Sequence, residues 1–114
     1  SVDLKPAGNR IEDSKKYAMN LEESGVDVID VSGGLCGGNP DSLQGVQGYF
    51  IPQAHEIRKV VDIPVIGVGG ITEPEYANKM IQEGKVDLVA VGRGLLNDAD
   101  WAIKAIKKLK TNQA

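Results

Sequence analysis

The chain has 114 residues, 41% of them hydrophobic and 25% charged, with a net charge of −3. That length allows one domain with a modest core, and the negative balance offers no basic field to a nucleic acid. A single cysteine, Cys36, excludes an internal disulfide framework, and no apolar run is long enough to span a bilayer. With no signal-peptide pattern at its start, the chain is expected to be cytoplasmic, with neither nucleic acid nor membrane as a partner. Glycine is the departure from ordinary composition: 14 of 114 residues, about twice the roughly 7% average.

Ser1-Val2 is expected to be the stub of a strand, and Pro6-Ala7-Gly8-Asn9 is loop chemistry. From Ile11 to Ser24 the spacing predicts a helix with Ile11, Ser14, Ala18 and Leu21 on one face and Gly25 as its stop. Val26 to Val31 predicts a strand ended by Ser32-Gly33-Gly34. Leu35 to Gly48 has no period and holds five glycines or prolines at 37, 38, 40, 45 and 48, which predicts a long loop of the kind that carries function.

Ile51 to Val61 predicts a helix with Ala54, Ile57 and Val61 inward and Pro52 tolerated in its first turn. Val65 to Val68 is the second full strand. Thr72-Glu73-Pro74-Glu75 has the pattern of a capping box opening a helix through Gln82, with Gly84 after it. Val86 to Val91 is the third strand. Asn97-Asp98 then caps a last helix, with Ala102, Ile106 and Leu109 expected on its inner side and Lys107, Lys108 and Lys110 near its C-terminus.

A faint repeat supports this order, since Glu23 to Ile29 and Glu83 to Val89 both run from a helix end through a glycine to a Val-Asp strand start. Buried strands alternating with helices indicate βα units on a parallel sheet. The expected fold is α/β: the C-terminal half of a (β/α)8 TIM barrel, with three full parallel strands plus the stub of a fourth, each followed by a helix, in one partial domain over residues 1–114.

Two of the strands end alike. Val65-Ile66-Gly67-Val68 runs into Gly69 and Gly70, and Val89-Ala90-Val91 runs into Gly92 and Arg93. Glycines at the carboxyl end of a buried strand let a phosphate reach backbone N–H groups, and arginine adds a charged fork. Gly69, Gly70, Gly92 and Arg93 are therefore the candidate phosphate-binding residues. Gly67 to Gly70 is not a dinucleotide fingerprint, because Thr72 stands where the third glycine belongs.

Other candidates carry less. His55 is the only histidine, so no His-based metal cluster is expected, and its place on a helix predicts a solvated side chain. Cys36 has no base placed to activate it. Asp27 and Asp87 fall at strand starts, the end of a barrel associated with stability. Asp30 and Ser32 fall near a carboxyl end, where a ligand would sit, but a lone carboxylate makes no acid–base pair. Trp101 is expected to pack, and so is Gln47-Gly48-Tyr49-Phe50 with its adjacent aromatics, a pocket wall being the alternative for that segment.

These segments together resemble the old yellow enzyme family. Val26-Asp27-Val28-Ile29-Asp30-Val31-Ser32-Gly33-Gly34, followed by Tyr49-Phe50, Ala54 and Ile57-Arg58, is similar to its sixth strand and helix. Ile63-Pro64-Val65-Ile66-Gly67-Val68-Gly69-Gly70-Ile71 is similar to the seventh strand. Val86 to Arg93, with Asp98 and Trp101, is similar to the eighth. Asp3-Leu4-Lys5-Pro6 through Gly25 resembles the end of the fifth strand and its helix. The likeness covers essentially the whole chain and points to the bacterial NADPH-dependent flavin oxidoreductases.

The resemblance implies an FMN barrel that takes hydride from NADPH or NADH and passes it to an activated alkene or carbonyl substrate. It implies that Gly69, Gly70, Gly92 and Arg93 hold the FMN phosphate. The family's flavin-ring contacts, its substrate-binding histidine pair or His-Asn pair and its fifth-strand arginine match nothing here, so no catalytic residue and no metal ligand is expected in this chain. Two other readings of the residues stand beside it: a phosphate-binding half-barrel of the sugar-phosphate aldolase or synthase type, and a non-catalytic half-barrel that assembles into a homo-oligomer through its open strand edges.

Overall fold

Valine and isoleucine runs without alternation suit strands covered on both faces, and three of them build the sheet. A computed structural model of the chain describes residues 8–33 and 45–112. In order these form α1 (Ile11–Glu23), β1 (Ile29–Val31), α2 (Ile51–Arg58), β2 (Val65–Gly67), α3 (Pro74–Gln82), β3 (Leu88–Val89), α4 (Arg93–Asn97) and α5 (Trp101–Asn112). The strands are parallel in the order β1-β2-β3, with Ile29 paired to Val65, Val31 to Gly67 and Gly67 to Val89. The fold is thus α/β, a three-stranded parallel sheet with helices between and after its strands. The expected strand stub at Ser1-Val2, and Cys36 with most of the long loop, lie outside the described residues.

The strands are shorter than their apolar runs. Val26 to Val31 yields β1 from Ile29, and Val86 to Val91 yields only Leu88–Val89. The flanking residues still bond across the sheet: the Asp87 N–H donates to the Val65 carbonyl at 3.0 Å and the Ala90 N–H to Gly67 at 2.8 Å. The core lies between sheet and helices, where Val31, Val65 and Val86 pack with Ala18, Ala54, Ile57 and Ala77. Ala54, Ile57 and Val61 are buried as expected, although α2 ends at Arg58 and Val61 follows it.

Two helix faces differ from the sequence expectation. On α1, Ser14 and Ala18 are buried but Leu21 is 45% exposed. On α5 the inner side is Trp101, Ala105 and Leu109, while Ala102 and Ile106 face outward. A separate short helix, α4, precedes it, and the rotation follows from the bond that the Trp101 indole Nε1–H donates to the Thr72 carbonyl at 2.9 Å. The capping box at Thr72 does not form either. Glu73 occupies the N-cap without a side-chain cap, and Pro74 opens the helix. The Gln47 side-chain oxygen instead accepts the N–H bonds of Thr72 and Glu73, 3.0 Å each.

The faint sequence repeat has a structural basis at its helix ends. Gly25 and Gly84 both adopt positive φ, +98° and +71°. Each closes its helix with the paired bonds of a Schellman motif: Val26 N–H to Leu21 and Gly25 N–H to Glu22, then Lys85 N–H to Met80 and Gly84 N–H to Ile81, all at 3.0 Å. The two aspartates that follow diverge. Asp27 is exposed. Asp87 accepts from Arg58 Nε and Nη2 at 3.1–3.2 Å and from the Val65 N–H at 2.9 Å. The Arg58 guanidinium holds the Asp87 carboxyl below its ordinary range. Asp87 thereby ties α2, β2 and β3 together at the amino end of the sheet.

Candidate functional site

At the opposite, carboxyl end, the loops after β2 and β3 open into a cleft of about 580 Å³ that is lined by Gly69, Gly70, Gly92 and Arg93. All four sequence candidates thus meet in one place. Gly69 and Gly70 have φ of +122° and +62°, a region that L side chains rarely adopt. A Cβ on Gly69 would lie 2.8 Å from the Tyr49 ring, and one on Gly70 would lie 2.8 Å from the Val46 carbonyl oxygen. These two glycines are required by the turn itself. Gly92 is different: its φ is −98°, and an added Cβ would meet no atom within 4 Å.

The electrostatics are simple. Among the described residues Arg93 is the only charged one lining the cleft, and no described carboxylate lines it. Arg93 is exposed and has no ion-pair or hydrogen-bond partner among the described residues. The amides of Arg93 and Gly94 sit in the first turn of α4, where a helix offers no internal acceptor. The described lining residues include no histidine, cysteine or lysine. They can hold an anion but provide no general acid–base pair.

The wall facing Gly69 and Gly70 comes from residues 45–49. The Gly48 N–H donates to the Gly69 carbonyl, and Gln47 binds the start of α3 as above. Tyr49 stacks on the two glycines and meets Phe50 edge-on at 4.7 Å. Tyr49 is thus a cleft wall, whereas Phe50 is buried against Gly33. Asn97 lies one turn beyond Arg93 on α4 and lines the same space.

Residues 9–112 match the family model described as NADH:flavin oxidoreductase / NADH oxidase. The chain belongs to this family. It is 50% identical over 101 residues to an NADH oxidase of Thermoanaerobacter brockii, covering 86% of this chain and 16% of that protein. It is 37% identical over 109 residues to an NADPH dehydrogenase of Geobacillus sp. (strain WCH70), covering 96% of this chain and 32% of that one. A bilirubin reductase of Mediterraneibacter gnavus is 36% identical over 111 residues, with 93% and 17% covered. The chain therefore spans between about a sixth and a third of these relatives' length.

Within this flavin oxidoreductase family chain, the other sequence candidates stand apart from the glycine cleft. Asp30 and Ser32 line a second hollow of about 380 Å³ between α1 and β1. His55 is not the solvated side chain its helix position suggested: it is half-buried, and its Nδ1 is enclosed with no partner among the described residues. Among the described residues no three His, Cys, Asp or Glu side chains gather as a metal site, and no helix is long and apolar enough to cross a membrane. Two cleft residues escaped the sequence reading. Gln47 carried no signal of its own beyond its segment's choice between packing and a pocket wall, because its partners are 25 and 26 residues away. Asn97 had one that pointed elsewhere, since Asn before Asp reads as a helix cap.

Proposed function

We propose that this chain holds the phosphate end of FMN in an NAD(P)H-dependent flavin oxidoreductase of the ene-reductase type, working in the cytoplasm. In this reading the three strands are the last part of a (β/α)8 barrel, and Gly69, Gly70, Gly92 and Arg93 hold the phosphate. FMN, when bound, accepts hydride from NADPH or NADH and passes it to an activated alkene. This chain's own residues bind and orient: Arg93 supplies the charge, the glycine turns supply close backbone approach, and Tyr49 keeps one wall of the cleft apolar.

One observation carries the reading. Among its described lining residues, the cleft at the carboxyl ends of β2 and β3 holds a single charge, the cation Arg93, which no described residue neutralises. A lone exposed arginine beside glycine turns suits a phosphate. The position fits too, because barrels often bind phosphate in the loops after their last two strands. Gly92 adds support: no described residue fills the space beside it, so glycine there keeps room for a ligand.

Arg93→Ala in the full-length protein tests the reading. Loss of a charge-assisted bond of about 1.5–3 kcal/mol should weaken FMN roughly 10- to 100-fold in a fluorescence titration. Unchanged affinity would remove Arg93 from the phosphate site.

A further inference from the structure

A side-chain amide has one acceptor end and one donor end, and its neighbours decide which end faces where. Gln47 is fixed in this way. The N–H groups of Thr72 and Glu73 both donate to its Oε1 at 3.0 Å, so the oxygen must face the start of α3. The Nε2 amino group is therefore turned away from α3. It has no partner among the described residues. Gln47 itself lines the same glycine cleft as Arg93. Two N–H donors are thus held in orientation, with no acceptor among the described residues, beside a cleft whose one charge among its described lining residues is positive.

We infer that Gln47 is a further binding residue, donating from Nε2 to a phosphate oxygen of the ligand in this cleft. The inference rests on the FMN reading above and extends it from the strand ends to the preceding loop. Arg93 grips the anion from the β3 side by charge, and Gln47 grips it from the β2 side as a neutral donor. The second contact is cheap to keep in place. The bonds to Thr72 and Glu73 have already removed the rotamer freedom that a free glutamine would lose on binding.

Gln47→Glu separates the two ends of the side chain. A carboxylate oxygen still accepts both N–H bonds, and does so favourably at a helix start. The donor, however, becomes a negative oxygen facing the phosphate. In the full-length protein the thermal midpoint should hold, while FMN affinity falls at least about tenfold. Riboflavin, which lacks the phosphate, should bind the variant as it binds wild type. Gln47→Met removes the donor without adding charge and should weaken FMN several-fold, again sparing riboflavin. If both variants bind FMN like wild type while Arg93→Ala weakens it, the Gln47 assignment falls and the phosphate site stands. Equal losses for FMN and riboflavin would also overturn the phosphate contact. A wild-type protein that binds no FMN would overturn both readings together.

Discussion

The glycines of the cleft look alike in the sequence, but different forces hold them there. At Gly70, φ is +62° and the Val46 carbonyl stands 2.8 Å from where a Cβ would be, so alanine must strain the backbone and push the loop. Gly70→Ala should cost about 1–3 kcal/mol, read as a lower urea midpoint. At Gly92, φ is negative and the surroundings are open. Gly92→Ala should move stability by no more than about 0.5 kcal/mol yet weaken FMN binding. Should Gly92→Ala bind FMN like wild type, close ligand approach is not the reason for that glycine. The sequence made the four strand-end residues legible because glycine after a buried run has few structural uses. It hid Gln47, whose value depends on backbone groups that only folding brings near. It misread His55 because helix position alone does not tell which side of α2 the neighbours cover.

At the scale of elements, the amino end of the sheet is fastened by one ion pair. Arg58 of α2 meets Asp87 at the entry of β3, and Arg58 Nη1 donates to the Gly84 carbonyl at 2.9 Å. Asp87 also accepts the Val65 N–H of β2. Asp87→Ala would strand the guanidinium and that N–H. Both side chains keep about a third of their surface in solvent, 39% and 33%. The cost should therefore sit near the low end, about 1–2 kcal/mol, in urea denaturation. The pH dependence follows from the lowered carboxyl. Its folded value lies below the unfolded one, so its stabilisation is complete above the ordinary carboxylate range and is lost as pH falls through the lowered value. Denaturation curves on acidification should show this loss in wild type and lack it in Asp87→Asn; identical acid profiles would deny Asp87 that share.

Element order was legible from alternating apolar runs and glycine stops. Helix faces were less so. Ala102, Ile106 and Leu109 make a plausible stripe, but the Trp101 bond to Thr72 turns α5 so that Ala105 faces in. Strand length was overread for a related reason. An apolar run reports burial on both faces, whereas a ladder also needs a neighbour in register, and β3 pairs through only Leu88 and Val89.

For the molecule as a whole, the described residues leave the sheet open on both sides. Among them β1 and β3 are edges, each with one neighbour. On or beside them lie apolar side chains in solvent: Val28 at 43% before β1, Leu88 at 50% in β3, and Tyr17 at 66% on α1 by the hollow that β1 lines. Unpaired strand edges beside exposed apolar surface invite another chain to pair. The relatives, three to six times longer by the fractions covered, have the additional length to cover both sides. The 114-residue chain on its own has only other copies of itself. At tens of micromolar it should scatter light as a species heavier than its 12.1 kDa. Leu88→Lys combined with Val28→Lys, which puts charge beside both edges, should lower that mass. A wild-type chain that stays at 12.1 kDa would show that the edges protect themselves, and that the exposed side chains are not a pairing surface.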